Sequence, residues 1–156
     1  TNPFGAKRQI LGVYHKDLLT TFASVANKLS MEHALIVHGF DGLDEITITD
    51  STYIAELKNK EITHYEISPK DFGLSLANIS EISAQSSDDS LLLVREAFAG
   101  EQSAVQDMIA LNAGAALYLA GSVSSIADGV ELAFTLMNNG MAADKLAAYV
   151  RISNNS

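Results

Sequence analysis

Residues 9–37, QILGVYHKDLLTTFASVANKLSMEHALIV, decide the fold. The run 9–14 is short and apolar, the length of a buried strand. Across 16–29, Leu18, Leu19, Phe22, Val25, Ala26 and Leu29 recur at three-and-four spacing, one face of an amphipathic helix. ALIV at 34–37 is apolar throughout, as in a strand covered on both faces. Strand, helix, strand in that order predicts a right-handed crossover joining two parallel strands.

Working outward, three β-like runs follow. EITIT at 45–49 alternates Ile46 and Ile48 with polar residues, the pattern of a half-buried strand. The runs 52–57 and 61–67 flank Lys58-Asn59-Lys60, a polar turn in which Asn tolerates a left-handed conformation, and together predict a hairpin. Pro69 and Gly73 punctuate the connection SPKDFGL, and SAQSSDD at 83–89 reads as a polar loop, the best internal linker. Beyond it the pattern is helical: 88–99 stops at Gly100, and 103–120 opens on a Ser103-x-x-Gln106 capping box and stops at Gly121. Two further helices are expected at 125–138 and 143–150. The helix at 103–120 carries small and apolar residues on nearly all sides after Asn112, so it should be central and tightly packed. The fold class is therefore α/β: a mixed, largely parallel sheet flanked by helices, with a β-hairpin and a helical C-terminal tail, in a single domain spanning 1–156.

Composition narrows the function. The chain has 156 residues, with ten Lys and Arg against nineteen Asp and Glu, a formal charge of −9. Hydrophobic residues make up 47 % and charged ones only 19 %, which suits a folded core and argues against disorder. The acid excess argues against a nucleic-acid partner, which needs a basic face. There is no Cys, hence no disulfide framework, thiolate nucleophile or zinc site of the usual kind, in keeping with a reducing, cytoplasmic setting. The longest apolar stretch, 113–121, is too short for a membrane span, and TNPFGAKRQI lacks the apolar centre of a signal peptide. The chain lacks an initiator Met, as expected of a trimmed mature protein or, at least as readily, of a piece cut from a longer chain.

Chemistry concentrates in one segment, HALIVHGFDGLDE at 33–45. A buried strand ends at Val37 or His38 and enters a loop with two glycines and three carboxylates. In open α/β sheets ligands sit beyond the carboxyl ends of parallel strands. Gly39 and Gly42 permit close backbone approach or positive φ. Asp41, Asp44 and Glu45 offer the hard oxygens that Mg²⁺ prefers, one or two carboxylates completed by water and a substrate phosphate. The same residues also serve as ordinary turn formers on a solvated loop. His38 at a strand end is more often a satisfied structural histidine than a catalyst, and His15, His33 and His64 read as structural or surface. No phosphate-cradle or serine-hydrolase motif is present.

HGFDGLDEI at 38–46, Asn2-Pro3 followed by QILGV at 9–13, SPKDFGL at 68–74, and LNA at 111–113 with AALY at 115–118 resemble anthranilate phosphoribosyltransferase. The resemblance covers essentially the whole chain but only the C-terminal portion of that family. The family's helical domain and its GTGGD loop for phosphoribosyl pyrophosphate have no counterpart here. The resemblance implies transfer of a phosphoribosyl group from phosphoribosyl pyrophosphate to anthranilate with release of pyrophosphate, an early step of tryptophan biosynthesis. It implies Mg²⁺ as cofactor, with Asp44 and Glu45 matching the family's metal-binding DE and with His38, Gly39, Asp41 and Gly42 supporting the loop. It also implies a homodimer formed mainly through the missing helical domain, and an inactive isolated chain with no catalytic residue of its own. The loop 39–44 is expected to be mobile without its ligand, its carboxylates lacking partners. Two alternatives stand beside this: a non-catalytic paralogue binding metal, phosphate or nucleic acid, and a pyrimidine nucleoside phosphorylase relative.

Overall fold

The computed structural model describes residues 5–154, so Asn2-Pro3 lies outside the described residues. Strand β1 (Arg8–Gly12), helix α1 (Leu18–Lys28) and strand β2 (His33–Gly39) form the expected crossover, with β1 parallel to β2 and Ile10 opposite Leu35. Strands β3 (Thr52–Lys58) and β4 (Glu61–Ile67) form the expected hairpin. Asn59 and Lys60 both take positive φ, 53° and 68°, which fits a two-residue turn of the type that matches strand twist. The sheet runs β1-β2-β3-β4 and is mixed as expected. Its parallel share is smaller than expected, for only β1 and β2 pair that way, while β3 pairs antiparallel with both β2 and β4.

The sheet separates two apolar layers because strand side chains alternate between faces. Ala34, Ile36, Ala55 and Leu57 pack with Leu19, Ala23 and Ala26 of α1. Leu35, Val37 and Ile54 face the other way, onto Leu111, Ala115 and Leu119 of α4 (Ala104–Ala120) and Val130, Ala133 and Met137 of α5 (Ile126–Asn138). The expectation of a tightly packed 103–120 helix is met. A methyl on Gly114 would stand 2.6 Å from the Val130 backbone nitrogen, so α4 and α5 touch backbone to backbone.

Short α2 (Ile79–Ile82), α3 (Ser87–Phe98) and α6 (Met141–Ser153) complete the helical half. Three expectations need correction. The polar loop 83–89 contracts, because the Ser86 hydroxyl accepts from the Asp89 N–H and draws Asp88 and Asp89 into the first turn of α3. The Ser103 box is half formed: its hydroxyl caps Gln106, but the buried Gln106 amide turns away to donate to the Ala97 carbonyl and to Asn138 Oδ1. Finally, 45–49 is no strand although Ile46 and Ile48 are buried. Both edges of β2 are taken by β1 and β3, and the backbone of this run bonds mainly to side chains instead, with the Ile48 carbonyl accepting from the Ala77 N–H.

Candidate functional site

The carboxyl ends of β1 and β2 deliver two loops side by side, 13–17 and 40–51. They are stitched together at the strand tips. His38 Nδ1 lies 2.8 Å from the Val13 carbonyl, and since a carbonyl only accepts, this nitrogen carries the proton. His38 is thereby a half-buried structural donor. Phe40 stacks on Tyr53 with centroids 3.8 Å apart, and the Lys16 ammonium sits 3.6 Å from the centre of the Tyr53 ring. That cation–π contact ties the first loop over the second.

The two glycines of the motif do different work. Gly42 takes φ +94°, a left-handed turn that a side chain would disfavour. Gly39 is needed for space: its added methyl would strike Asp41 Oδ1 and lie 3.2 Å from Thr47 Cγ2. Asp41 turns inward on its own loop. Oδ1 accepts the Leu43 N–H at 3.1 Å, and Oδ2 accepts the Thr47 hydroxyl at 2.5 Å and the Thr49 hydroxyl as well. Burial pushes this carboxyl up, but the donated bonds from Thr47, Thr49 and Leu43 together hold it below its ordinary value. The expectation that the loop's carboxylates lack partners is therefore wrong for Asp41, whose oxygens are spent inside the loop.

Asp44 and Glu45 differ. Both are exposed, and among the described residues neither side chain has a hydrogen-bond or ion-pair partner. Their backbone, by contrast, is held from two directions. Gly12, the last residue of β1, lies so close to Asp44 that an added methyl would overlap the Asp44 carbonyl oxygen and stand 2.6 Å from its carbon. On the other side Asn112 of α4 grips Ile46: Oδ1 accepts the Ile46 N–H at 3.2 Å while Nδ2 donates to the Ile46 carbonyl at 2.8 Å. Glu45 also rims a groove of about 340 Å³ walled by Ile82, Val105, Met108 and Ile109.

Two adjacent carboxylates without protein partners, on a loop with a fixed backbone, suit a hard divalent cation that keeps several waters and takes remaining oxygens from a phosphate. No group of three or more potential ligands gathers among the described residues. Gly12, Thr47, Thr49 and Asn112 escaped sequence reasoning as contributors. Asn112 carried a usable signal, since a carboxamide within the otherwise apolar LNAGAALYLA needs a polar partner.

The remaining histidines lie apart from this loop. His33 Nε2 donates to Glu56 Oε1 at 2.6 Å in the sheet interior. Tyr118 and Tyr65 donate to the same carboxylate at 2.8 and 2.9 Å, and Lys58 reaches Tyr118 at 2.9 Å. Burial raises the Glu56 carboxyl, but the bonds from Tyr118, His33 and Tyr65 outweigh it and hold it below its usual value. His64 meets Thr20 at 3.0 Å, and His15 faces Asp17 at the surface. No helix among the described residues is long and apolar enough to cross a membrane.

A family model described as glycosyl transferase family, a/b domain, matches residues 1–143. The anthranilate phosphoribosyltransferase of Vesicomyosocius okutanii is 44 % identical over 153 residues, 98 % of this chain and 45 % of its own length. That of Nitrosomonas eutropha is 44 % identical over 154 residues, 99 % of this chain and 45 % of its own. The crystal structure of anthranilate phosphoribosyltransferase from Thermus thermophilus superposes with a TM-score of 0.86 at 30 % identity, covering 97 % of this chain and 44 % of that one. The Saccharomyces cerevisiae enzyme in complex with PRPP and Mg shares the fold, with a TM-score of 0.84 at 22 % identity over 96 % of this chain and 43 % of that one. The chain thus spans a little under half the length of these relatives.

Proposed function

This chain belongs to the glycosyl transferase family, and from that premise we propose that it is the α/β portion of an anthranilate phosphoribosyltransferase. In the assembled protein it presents Asp44 and Glu45 to an Mg²⁺ ion bound with the diphosphate of phosphoribosyl pyrophosphate. The observation that carries this reading is the pair of exposed carboxylates, without partners among the described residues, on a loop whose backbone is held by β1 and α4. The neighbouring yeast structure with PRPP and Mg supports the choice of cation. The similar proteins named above all carry one activity, which favours this family over a nucleoside phosphorylase relative or a non-catalytic paralogue.

Loss of pyrophosphate from the sugar builds negative charge on the leaving group, and a bound Mg²⁺ supplies Lewis-acid stabilisation and orientation there. The chain's own share is positional. Asp44 and Glu45 place two carboxylates, on neighbouring residues, in the loop beyond the carboxyl end of β2. Gly12 and Ile46 set the path of the backbone that carries them, and Asp41 closes the loop from within. The anthranilate amine is already a competent nucleophile, so no protein base is assigned. The groups that hold the sugar and anthranilate belong to the rest of the longer protein, and the 156-residue chain alone should not turn over.

Mn²⁺, a spin-active substitute for Mg²⁺, tests the site directly. Electron paramagnetic resonance of the free ion should show binding that Mg²⁺ competes for, and Asp44→Asn with Glu45→Gln should weaken it by tenfold or more. Unchanged Mn²⁺ binding in the double variant would remove the basis for this function.

A further inference from the structure

The geometry points to Asn112 as a positioning residue for the Asp44–Glu45 pair: its carboxamide stands in for a neighbouring strand and fixes the register at which both carboxylates leave the loop. The inference rests on the divalent-cation reading above and deepens it, by naming a residue on a distant helix that controls which cation is preferred.

The run 45–49 has a strand's apolar alternation but no strand to pair with. An unpaired backbone beside buried Ile46 and Ile48 would be costly, since buried N–H and C=O groups need partners. Asn112 meets the need with the donor and acceptor pair that an adjacent peptide would offer, at 3.2 and 2.8 Å. Its remaining amide hydrogen goes to the Met108 carbonyl one turn back, at 3.0 Å. Only one orientation of the carboxamide satisfies all three contacts, because the Ile46 N–H requires the oxygen. The side chain is therefore locked at both ends.

Its base does not move either. Leu111 and Ala115 beside it are fully buried, and the Gly114–Gly129 backbone contact fixes α4 against α5. Ile46 is two residues from Asp44 and next to Glu45, so a tie at Ile46 fixes the main chain from which both side chains leave the loop. Gly12 limits the Asp44 side of the same turn. Two carboxylates carried on a fixed main chain suit Mg²⁺, which demands short, near-octahedral coordination, more than Ca²⁺, which accepts six to eight ligands in looser geometry. Groups that orient metal ligands typically affect affinity by ~10–100-fold.

The test is competition of Mg²⁺ and Ca²⁺ against bound Mn²⁺, read by electron paramagnetic resonance on the 156-residue chain. Asn112→Ala should weaken Mg²⁺ by about tenfold and Ca²⁺ by less, so that the preference for Mg²⁺ falls. Gln106→Ala is the control: it removes buried bonds from the same helix to Ala97 and Asn138 without touching the loop. It should lower the thermal midpoint and leave the Mg²⁺ to Ca²⁺ ratio unchanged. If Asn112→Ala does not fold, Asn112→Asp replaces it. That variant keeps the acceptor for the Ile46 N–H and gives up the donors, and its added charge raises both affinities alike, so the ratio still falls. An unchanged ratio in the Asn112 variants, or an equal change in Gln106→Ala, overturns the inference while the cation site stands. If Asp44→Asn with Glu45→Gln leaves Mn²⁺ binding intact, the cation reading fails and this inference fails with it.

Discussion

Gly12→Ala separates conformational from steric effects unusually well. Gly12 is the last residue of β1 and its φ lies outside the left-handed region, so alanine can adopt the same backbone. By itself that change should stabilise the fold by about 0.4–1 kcal/mol, through fewer states in the unfolded chain. The new methyl, however, would stand 2.6 Å from the Asp44 carbonyl carbon and 2.9 Å from Asp44 Cβ, with the carbonyl oxygen closer still. Ordinary contact begins near 3.4 Å and the carbonyl oxygen lies nearest of all, so the Asp44 backbone must retreat by more than about 1 Å. The obstacle is main chain, not the end of a flexible side chain, and no rotamer relieves it.

Overpacking of this kind costs about 1–3 kcal/mol. Against the entropic gain, the net loss is about 1–2 kcal/mol, a fall in thermal midpoint of roughly 2–8 °C for a domain of this size. The sharper readout is binding. A shift near 1 Å in one of two ligand-bearing residues should weaken Mn²⁺ by tenfold or more, measured by electron paramagnetic resonance beside a thermal melt. A variant with both midpoint and Mn²⁺ affinity intact would show that β1 does not hold Asp44. A lowered midpoint with unchanged affinity would show that the carboxylate pair tolerates displacement and that cation binding does not depend on a fixed main chain.

The loop and the buried network make separate predictions. Asp41 has its folded value held below the ordinary 3.8, so it adds stability above that value and loses it as the pH falls through the folded one. Urea denaturation between pH 6 and pH 3 should therefore show a smaller acid loss for Asp41→Asn than for the parent, with a cost near neutrality of about 1 kcal/mol. Glu56→Leu strands the His33, Tyr65 and Tyr118 donors in the sheet interior and should cost about 3 kcal/mol in the same assay, leaving Mn²⁺ binding unaffected.

Local pattern carried much of the fold. The crossover was legible because Leu18, Leu19, Phe22, Val25, Ala26 and Leu29 keep helical spacing between two apolar runs. The hairpin was legible because Asn59 sits where a positive φ is needed. The failure at 45–49 is equally physical: Ile46 and Ile48 alternate to fill the core, and alternation reports burial of side chains, not the partner of the backbone. That partner, Asn112, is 66 residues away, beyond any local pattern. The same limit hid Gly12, whose role is a close approach to Asp44 that only the folded chain creates. Asp41 was visible as a carboxylate of the loop, but only the hydroxyls of Thr47 and Thr49 separate it from its two neighbours.

That separation bears on stability. Asp41 has donors for both oxygens, while Asp44 and Glu45 have none among the described residues and are adjacent on a backbone that Gly12 and Asn112 prevent from opening. Like charges on exposed neighbouring residues repel by about 1 kcal/mol at a separation of about 4 Å. Without divalent cation, Asp44→Asn with Glu45→Gln should therefore melt about 2–4 °C higher than the parent. With Mg²⁺ at ten times its dissociation constant the order should reverse, since binding adds about 1.4 kcal/mol to the parent and little to the variant. A pair retained only as solvated turn residues predicts no crossing, with the two melting curves keeping their order at every Mg²⁺ concentration. The crossing thus distinguishes a loop shaped for a cation from one that is merely acidic.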